Sequence, residues 1–148
     1  MSSIIILPRS FSTTLTQVAS GGTQIIPAGT FRTITMNALD SDIGSNWDAA
    51  EHHYVVPSTG LYQITATLRA ADNQTAGIQF GMGLHSANVD GNWFLWHAIQ
   101  TTLNGERRTT YSYVRTDFFN TGERLRLFTY SDQGFTVNAT VLNVFRVA

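Results

Sequence analysis

Four histidines, ten carboxylates and one serine in a turn are the groups on which this chain could build chemistry. His52 and His53 are adjacent in the sequence. On a strand, neighbours point to opposite faces, so these two cannot chelate one metal ion. His85 and His97 stand alone, and no histidine pair has the helical spacing of a zinc site. There are 0 cysteines, so thiolate ligands and disulfides are excluded. Ser58 in "PSTG" lacks the preceding glycine of a nucleophile elbow and leads into a strand pattern instead of a helix. The glycines of "GIQFGMG", 77–83, lie inside a strand pattern, whereas a phosphate cradle opens a helix. Asp40 and Asp42 share a polar stretch, but no Asp-x-Asp-x-Asp-Gly frame follows. "NQT" at Asn73 and "NAT" at Asn138 match the glycosylation sequon and read as chance matches without a secretory signal. No catalytic residue, metal-ligand set or cofactor site emerges, and an enzyme is not expected.

Composition narrows the class further. The formal net charge is -1, and all nine basic residues are arginine. A nucleic-acid partner would call for a basic excess or stripe, and there is none. The run Ile4-Ile5-Ile6-Leu7 is too short for a signal-peptide core, has no basic segment before it and meets Pro8 at once. Nothing approaches the length of a membrane span. The chain is therefore expected to be made on the cytoplasmic side and to have neither nucleic acid nor membrane as a partner.

The elements that would carry any site are strands. Charged residues are 13 %, so neutral polar residues must cover the surface. Thr, Ser and Asn in that role suit strands and tight turns. Apolar residues recur with period two and nowhere with a sustained helical period. In "LYQITATLRA", Tyr62, Ile64, Ala66 and Leu68 face one way, against Leu61, Gln63, Thr65, Thr67 and Arg69. In "ERLRLFTY", Leu125 and Leu127 oppose Arg124 and Arg126. The last strand is read with Val137, Ala139, Val141, Phe145 and Val147 on one face. Turn signals at Pro57–Gly60, Asn104-Gly105, Thr121-Gly122 and Gln133-Gly134 separate the runs. The pattern predicts strands over 14–19, 24–26, 31–37, 53–56, 61–70, 78–85, 93–102, 108–118, 123–130 and 135–147. Residues 38–50 read as a long polar loop and residues 1–10 as an arm. One domain, 11–148, follows the arm. The fold class is an all-β sandwich or barrel.

Two of these strands are apolar on both faces. Trp93, Leu95 and Ile99 oppose Phe94, Trp96 and Ala98, and Leu142 and Val144 oppose Val141 and Phe145. A sandwich strand in a monomer meets water on one side. A subunit interface is therefore expected here, with Trp93, Leu95, Trp96, Leu142, Val144 and Phe145 as its candidate residues. A charge at Leu142 or Val144 should then break the assembly.

The order of these features resembles the globular head of the complement q-subunit type, the jelly roll shared with tumour necrosis factors. The resemblance rests on Tyr54, Pro57, Thr59, Gly60 and Tyr62, then on Gly122, Glu123, Leu125 and Leu127, and on a strand at the C-terminal end of the chain. It covers roughly residues 11 to 148; the motifs agree in order and spacing, though each alone is weak. It implies a sandwich of about ten antiparallel strands and a homotrimer. Against the secreted members, this sequence has no signal peptide, no collagen-like stalk and no cysteine. Such heads also occur in bacteriophage virion proteins, which are assembled in the host cytoplasm. The expected role is a trimeric capsid decoration, or cement, protein that contacts the major capsid protein. Its arm, with Ile4, Ile5, Ile6 and Leu7, is rich in β-formers and suited to adding a strand to a partner. The alternative is the glycan- or receptor-binding head of a tail fibre or spike, using Trp47, Trp93 and Asn92.

Overall fold

The computed structural model describes residues 14–71, 78–84 and 109–148. The arm 1–10, with Ile4 to Leu7, and the strand predicted over 93–102 lie outside the described residues. So do Asn73, His85 and His97.

Eleven strands build two antiparallel sheets, and no helix occurs among the described residues. They are β1 (Leu15–Ala19), β2 (Gln24–Ile26), β3 (Arg32–Thr33), β4 (Ala38–Asp42), β5 (Trp47–Asp48) and β6 (His53–Val55). The long ones follow: β7 (Gly60–Ala70), β8 (Ile78–Leu84), β9 (Thr109–Phe119), β10 (Arg124–Ser131) and β11 (Phe135–Arg146). The six-stranded sheet runs β4-β1-β11-β7-β9, with β2 also paired to β11. In the five-stranded sheet, β10 carries β8 along one edge and β6 and β3 along the other, and β5 pairs with β6.

Alternation makes the core. β7 buries Tyr62, Ile64, Ala66, Leu68 and Ala70, every second residue, as its sequence predicts. The five-stranded sheet answers with Phe80, Met82, Tyr54, Leu125 and Leu127. Aromatic rings stitch the two sheets together. Tyr54 meets Tyr62 edge-on with centroids 6.2 Å apart, and Phe80 meets Tyr113 at 6.4 Å.

The turn before β7 explains its odd composition. Tyr62 sends its ring into the core and its hydroxyl back to donate to the Ser58 carbonyl at 2.7 Å. A buried phenol needs such a partner, and the turn supplies it four residues upstream. Gly60 has no room for a side chain, because a Cβ there would collide with the Ala148 carbonyl oxygen and lie 2.7 Å from Arg146 Nε. The C-terminal residues lie along this start: Leu61 donates to the Ala148 carbonyl and Val147 donates back to Leu61.

Three expectations are corrected. First, residues 38–50 are not a loop throughout. β4 and β5 form there despite their aspartates and serine, because Asp42 accepts from the Thr16 hydroxyl at 2.6 Å and from the Asn46 and Trp47 N–H groups at 3.0 and 2.9 Å. Second, the strand predicted over 31–37 shrinks to two residues. The Gln24 side-chain amide takes the place of a neighbouring strand there, donating to the Thr33 carbonyl and accepting from Thr35 N–H, both at 2.9 Å. Third, a bulge between Val137 and Ala139 inserts one extra residue in β11. The extra residue reverses the faces beyond it. Phe135 and Val137 point inward, and so do Thr140, Leu142 and Val144; Ala139, Val141, Asn143 and Phe145 point outward.

On β9, the last strand of its sheet among the described residues, a half-buried charged pair shares the inward side with Tyr113 and Phe119. Arg115 donates to Asp117 through Nε at 3.0 Å and Nη2 at 2.7 Å. Burial would raise the Asp117 carboxyl, but the Phe118 N–H and the guanidinium outweigh it and hold the acid below its ordinary range.

Two outcomes are expected. Gly60→Ala should lower unfolding stability by roughly 1–3 kcal/mol in urea titration, since the collision is with main chain that cannot retreat. Burial pushes the Tyr54 phenol up to about 12, with the Thr14 hydroxyl opposing and Tyr62 and Asp42 adding to the rise. The unfolded phenol ionises near 10, so the folded state holds the extra proton between those values. Stability should then be intact below pH 10 and fall by roughly 2–3 kcal/mol as pH climbs to 12. Tyr54→Phe should remove that share of the decline, read from melting temperatures at pH 9 and 11.

Candidate functional site

The residues with chemical potential are dispersed and occupied. His52 has a left-handed backbone (φ 54) and sets Nδ1 3.1 Å from the Met36 carbonyl. His53 is buried, with Nε2 3.7 Å from Asp48 Oδ2. Asp48 is engaged in its own turn, accepting from the Ala50 and Glu51 N–H groups at 3.0 Å each. The Glu51 N–H bond in particular holds the Asp48 carboxyl below its ordinary range. Asp42 is spent on the β4–β5 corner. Arg126 is buried on the outer side of β10 and donates through Nη2 to Glu51 at 2.7 Å. Ser58 contributes its carbonyl to Tyr62 and has no histidine beside it in the sequence. Among the described residues, no group of three His, Asp or Glu side chains is placed to hold a metal ion.

What the fold does assemble is a surface. On β1, β11, β7 and β9 the outward residues form cross-strand rows. One row is Leu15, Phe145, Gln63 and Thr116; the next is Gln17, Asn143, Thr65 and Val114; a third is Ala19, Val141, Thr67 and Ser112. Beyond them lie Ala139, Arg69 and Thr110. Arg69 is the single charge on this outward set. Asn143 donates to the Thr65 hydroxyl at 3.2 Å, so polar groups bond within the face. At one end of the face an apolar path crosses the strands, stepping past Gln63 and Thr116 to the adjoining row. Ile43 donates its N–H to the Leu15 carbonyl, Leu15 lies opposite Phe145, Val147 bonds Leu61, and Leu61 lies opposite Phe118. Ile43 is 50 % exposed and Phe118 60 %. An apolar band of this continuity is unusual on a surface meant only for water.

The interface residues expected from the sequence separate on this structure. Phe145 lies on the outward face, half-buried. Leu142 and Val144 do not: both are 0 % exposed in the protomer's own core. The bulge moved them inward, and it moved Val141 outward in their place. Trp93, Leu95 and Trp96 lie outside the described residues. Of the fold-signature residues, Tyr54, Tyr62, Leu125 and Leu127 are core, Gly60 is pinned by the C-terminal residues, and Gly122 turns at φ 85. Trp47, a candidate for stacking on sugars, is half-buried and packs against the core. Leu15, Ile43, Val114 and Phe118 were not singled out from the sequence, and Val147 was named only as a face residue of the last strand. The signal for two of them was present in "TYSYVRTDF", where the outward set Thr110, Ser112, Val114, Thr116 and Phe118 holds no charge.

Solved structures share this architecture. A tumour necrosis factor, Eiger from S. frugiperda, superposes with a TM-score of 0.66 at 11 % identity, covering 92 % of this chain and 93 % of that one. The globular domain of zebrafish complement 1qA superposes at 0.64 with 12 % identity, covering 92 % and 98 %. The fold is the jelly roll of those domains. No protein-family model and no curated protein sequence matches the chain.

The corrected phase of β11 has a direct test. Leu142→Asp should unfold the protomer, costing about 4 kcal/mol or more for an unpaired buried charge. Val141→Asp should leave the fold within about 1 kcal/mol of the parent. Circular dichroism melts of the two variants give the comparison, and equal losses would refute the assignment.

Proposed function

We propose that this chain is a non-enzymatic structural head that associates with copies of itself as a homotrimer through the outer face of the six-stranded sheet. The carrying observation is the outward set of β1, β11, β7 and β9, in which Arg69 is the one charge, with an apolar band at one end. A face that carries little charge can be buried against a copy with few charges left to desolvate. Burying the band removes apolar area from water at roughly 25 cal/mol per Å². The resemblance to complement-type heads and tumour necrosis factors, which implies trimers, supports the same reading.

The role in which such a trimer acts is a capsid decoration, or cement, protein of a bacteriophage. It would sit on the virion surface, touch the major capsid protein and be assembled in the host cytoplasm. Supporting this are the occurrence of such heads in virion proteins and a sequence with neither a basic excess nor a catalytic constellation. The arm with Ile4, Ile5, Ile6 and Leu7 is the segment proposed to reach the partner, by adding a strand. The glycan-binding alternative loses one of its aromatic candidates, since Trp47 packs against the core.

Light scattering on the purified chain should give a mass about three times 16.3 kDa. Phe118→Asp should reduce it to a single chain without lowering the melting temperature of the protomer. Added to phage shells stripped of accessory proteins, the parent chain should bind and raise their resistance to heating. A single-chain mass for the parent would refute self-association. Density on the tail instead of the shell in a virion reconstruction would refute the capsid role.

A further inference from the structure

The turn 43–46, between β4 and β5, is held with more force than a surface connection needs. Gly44 has φ 102 and Ser45 φ 56, so a non-glycine residue sits in the left-handed region. Such strain persists only where surrounding bonds over-determine the conformation. Here the bonds come from Asp42. Its Oδ1 accepts from the Thr16 hydroxyl at 2.6 Å and from Asn46 N–H at 3.0 Å, and its Oδ2 from Trp47 N–H at 2.9 Å. The Asn46 side chain reaches back to the Ile43 carbonyl at 3.4 Å, and the Asn46 carbonyl accepts from Val55 N–H at 2.8 Å.

The rigid turn leaves one group out. Ile43 is half exposed beside Leu15, on the outward side of the sheet, while Asp42 and Thr16 face inward. Inside the protomer, an isoleucine held there gains little. Presented to another surface, it needs no ordering at the moment of contact, and preorganised apolar groups are the ones that contribute most.

We infer that Asp42 is a positioning residue for self-association, holding the 43–46 turn so that Ile43 packs against a second copy of this chain. The inference rests on the self-association reading above. The second copy is the occupant because Ile43 closes one end of the uncharged band, which ends at Phe118 on the far edge of the same face. A nearly uncharged face can be covered by a copy with little desolvation of charge.

A double-mutant cycle tests it by sedimentation equilibrium, well below the melting temperature. Ile43→Ser removes the apolar side chain and leaves the turn's main-chain hydrogen bonds through residue 43 in place. It should raise the dissociation constant about tenfold, as expected for burial of a half-exposed isoleucine. Asp42→Asn keeps one acceptor oxygen and turns the other into an amide NH2, so one of the two backbone N–H groups loses its acceptor, and association should weaken about fivefold or more. In the Ile43→Ser background, Asp42→Asn should then change association less than twofold. Independent, multiplying effects would overturn the positioning role, because a carboxylate that only stabilised the fold would act in both backgrounds. An unchanged dissociation constant for Ile43→Ser would overturn the contact itself while leaving self-association standing. A parent chain that is monomeric at every concentration would overturn both.

Discussion

The hydrogen bond from the Tyr62 hydroxyl to the Ser58 carbonyl is the joint on which the sandwich turns. It lets one residue serve two needs. The ring fills the space between the sheets, against Tyr54 and Phe119, while the polar tip closes the turn that starts β7. β7 is the strand on which the six-stranded sheet is laid out, with β11 on one edge and β9 on the other. Fixing its first residues fixes the register of both neighbours, and with it which side chains look outward. Gly60 and the C-terminal residues hold the same point from the other direction. The outward face is thus a consequence of a core contact.

The bulge in β11 has an equally broad effect from a single residue. Without it, Leu142 and Val144 would face outward and the core would hold Val141 and Phe145. With it, Val141 and Asn143 meet Gln17, Thr65 and Thr67 on the outside, and Leu142 and Val144 fill the interior. The surface gains Phe145 beside Leu15, which joins the two halves of the apolar band. One inserted residue therefore sets both the packing inside and the character of the face outside.

Much of this was legible from the sequence. The alternation of Tyr62 to Leu68, and of Leu125 and Leu127, is a local property of period two, and it survives folding unchanged. The bulge was not legible, because "VNAT" carries no glycine or proline to mark an extra residue. β4 and β5 were missed because Asp40, Ser41 and Asp48 disfavour strands locally, and what overrides them is a pair of long-range partners, Thr16 for Asp42 and Val55 for Asn46. The candidate surface was half visible. Which residues avoid charge can be read from β7 and β9, but which strands stand side by side cannot, and the band exists only once β1, β11, β7 and β9 are in order.

The Arg115–Asp117 pair on β9 bears on how growth of an assembly would stop. Among the described residues β9 ends its sheet, and an unguarded edge invites another strand to extend the ladder without limit. Any newcomer must settle against the two charges and strip water from them, which disfavours addition along the hydrogen-bonding direction. Contact through the flat face has no such obstacle, and rotation about one axis can close it on itself. In a molecule that associates through its flat face, the ion pair would favour finite particles over fibres.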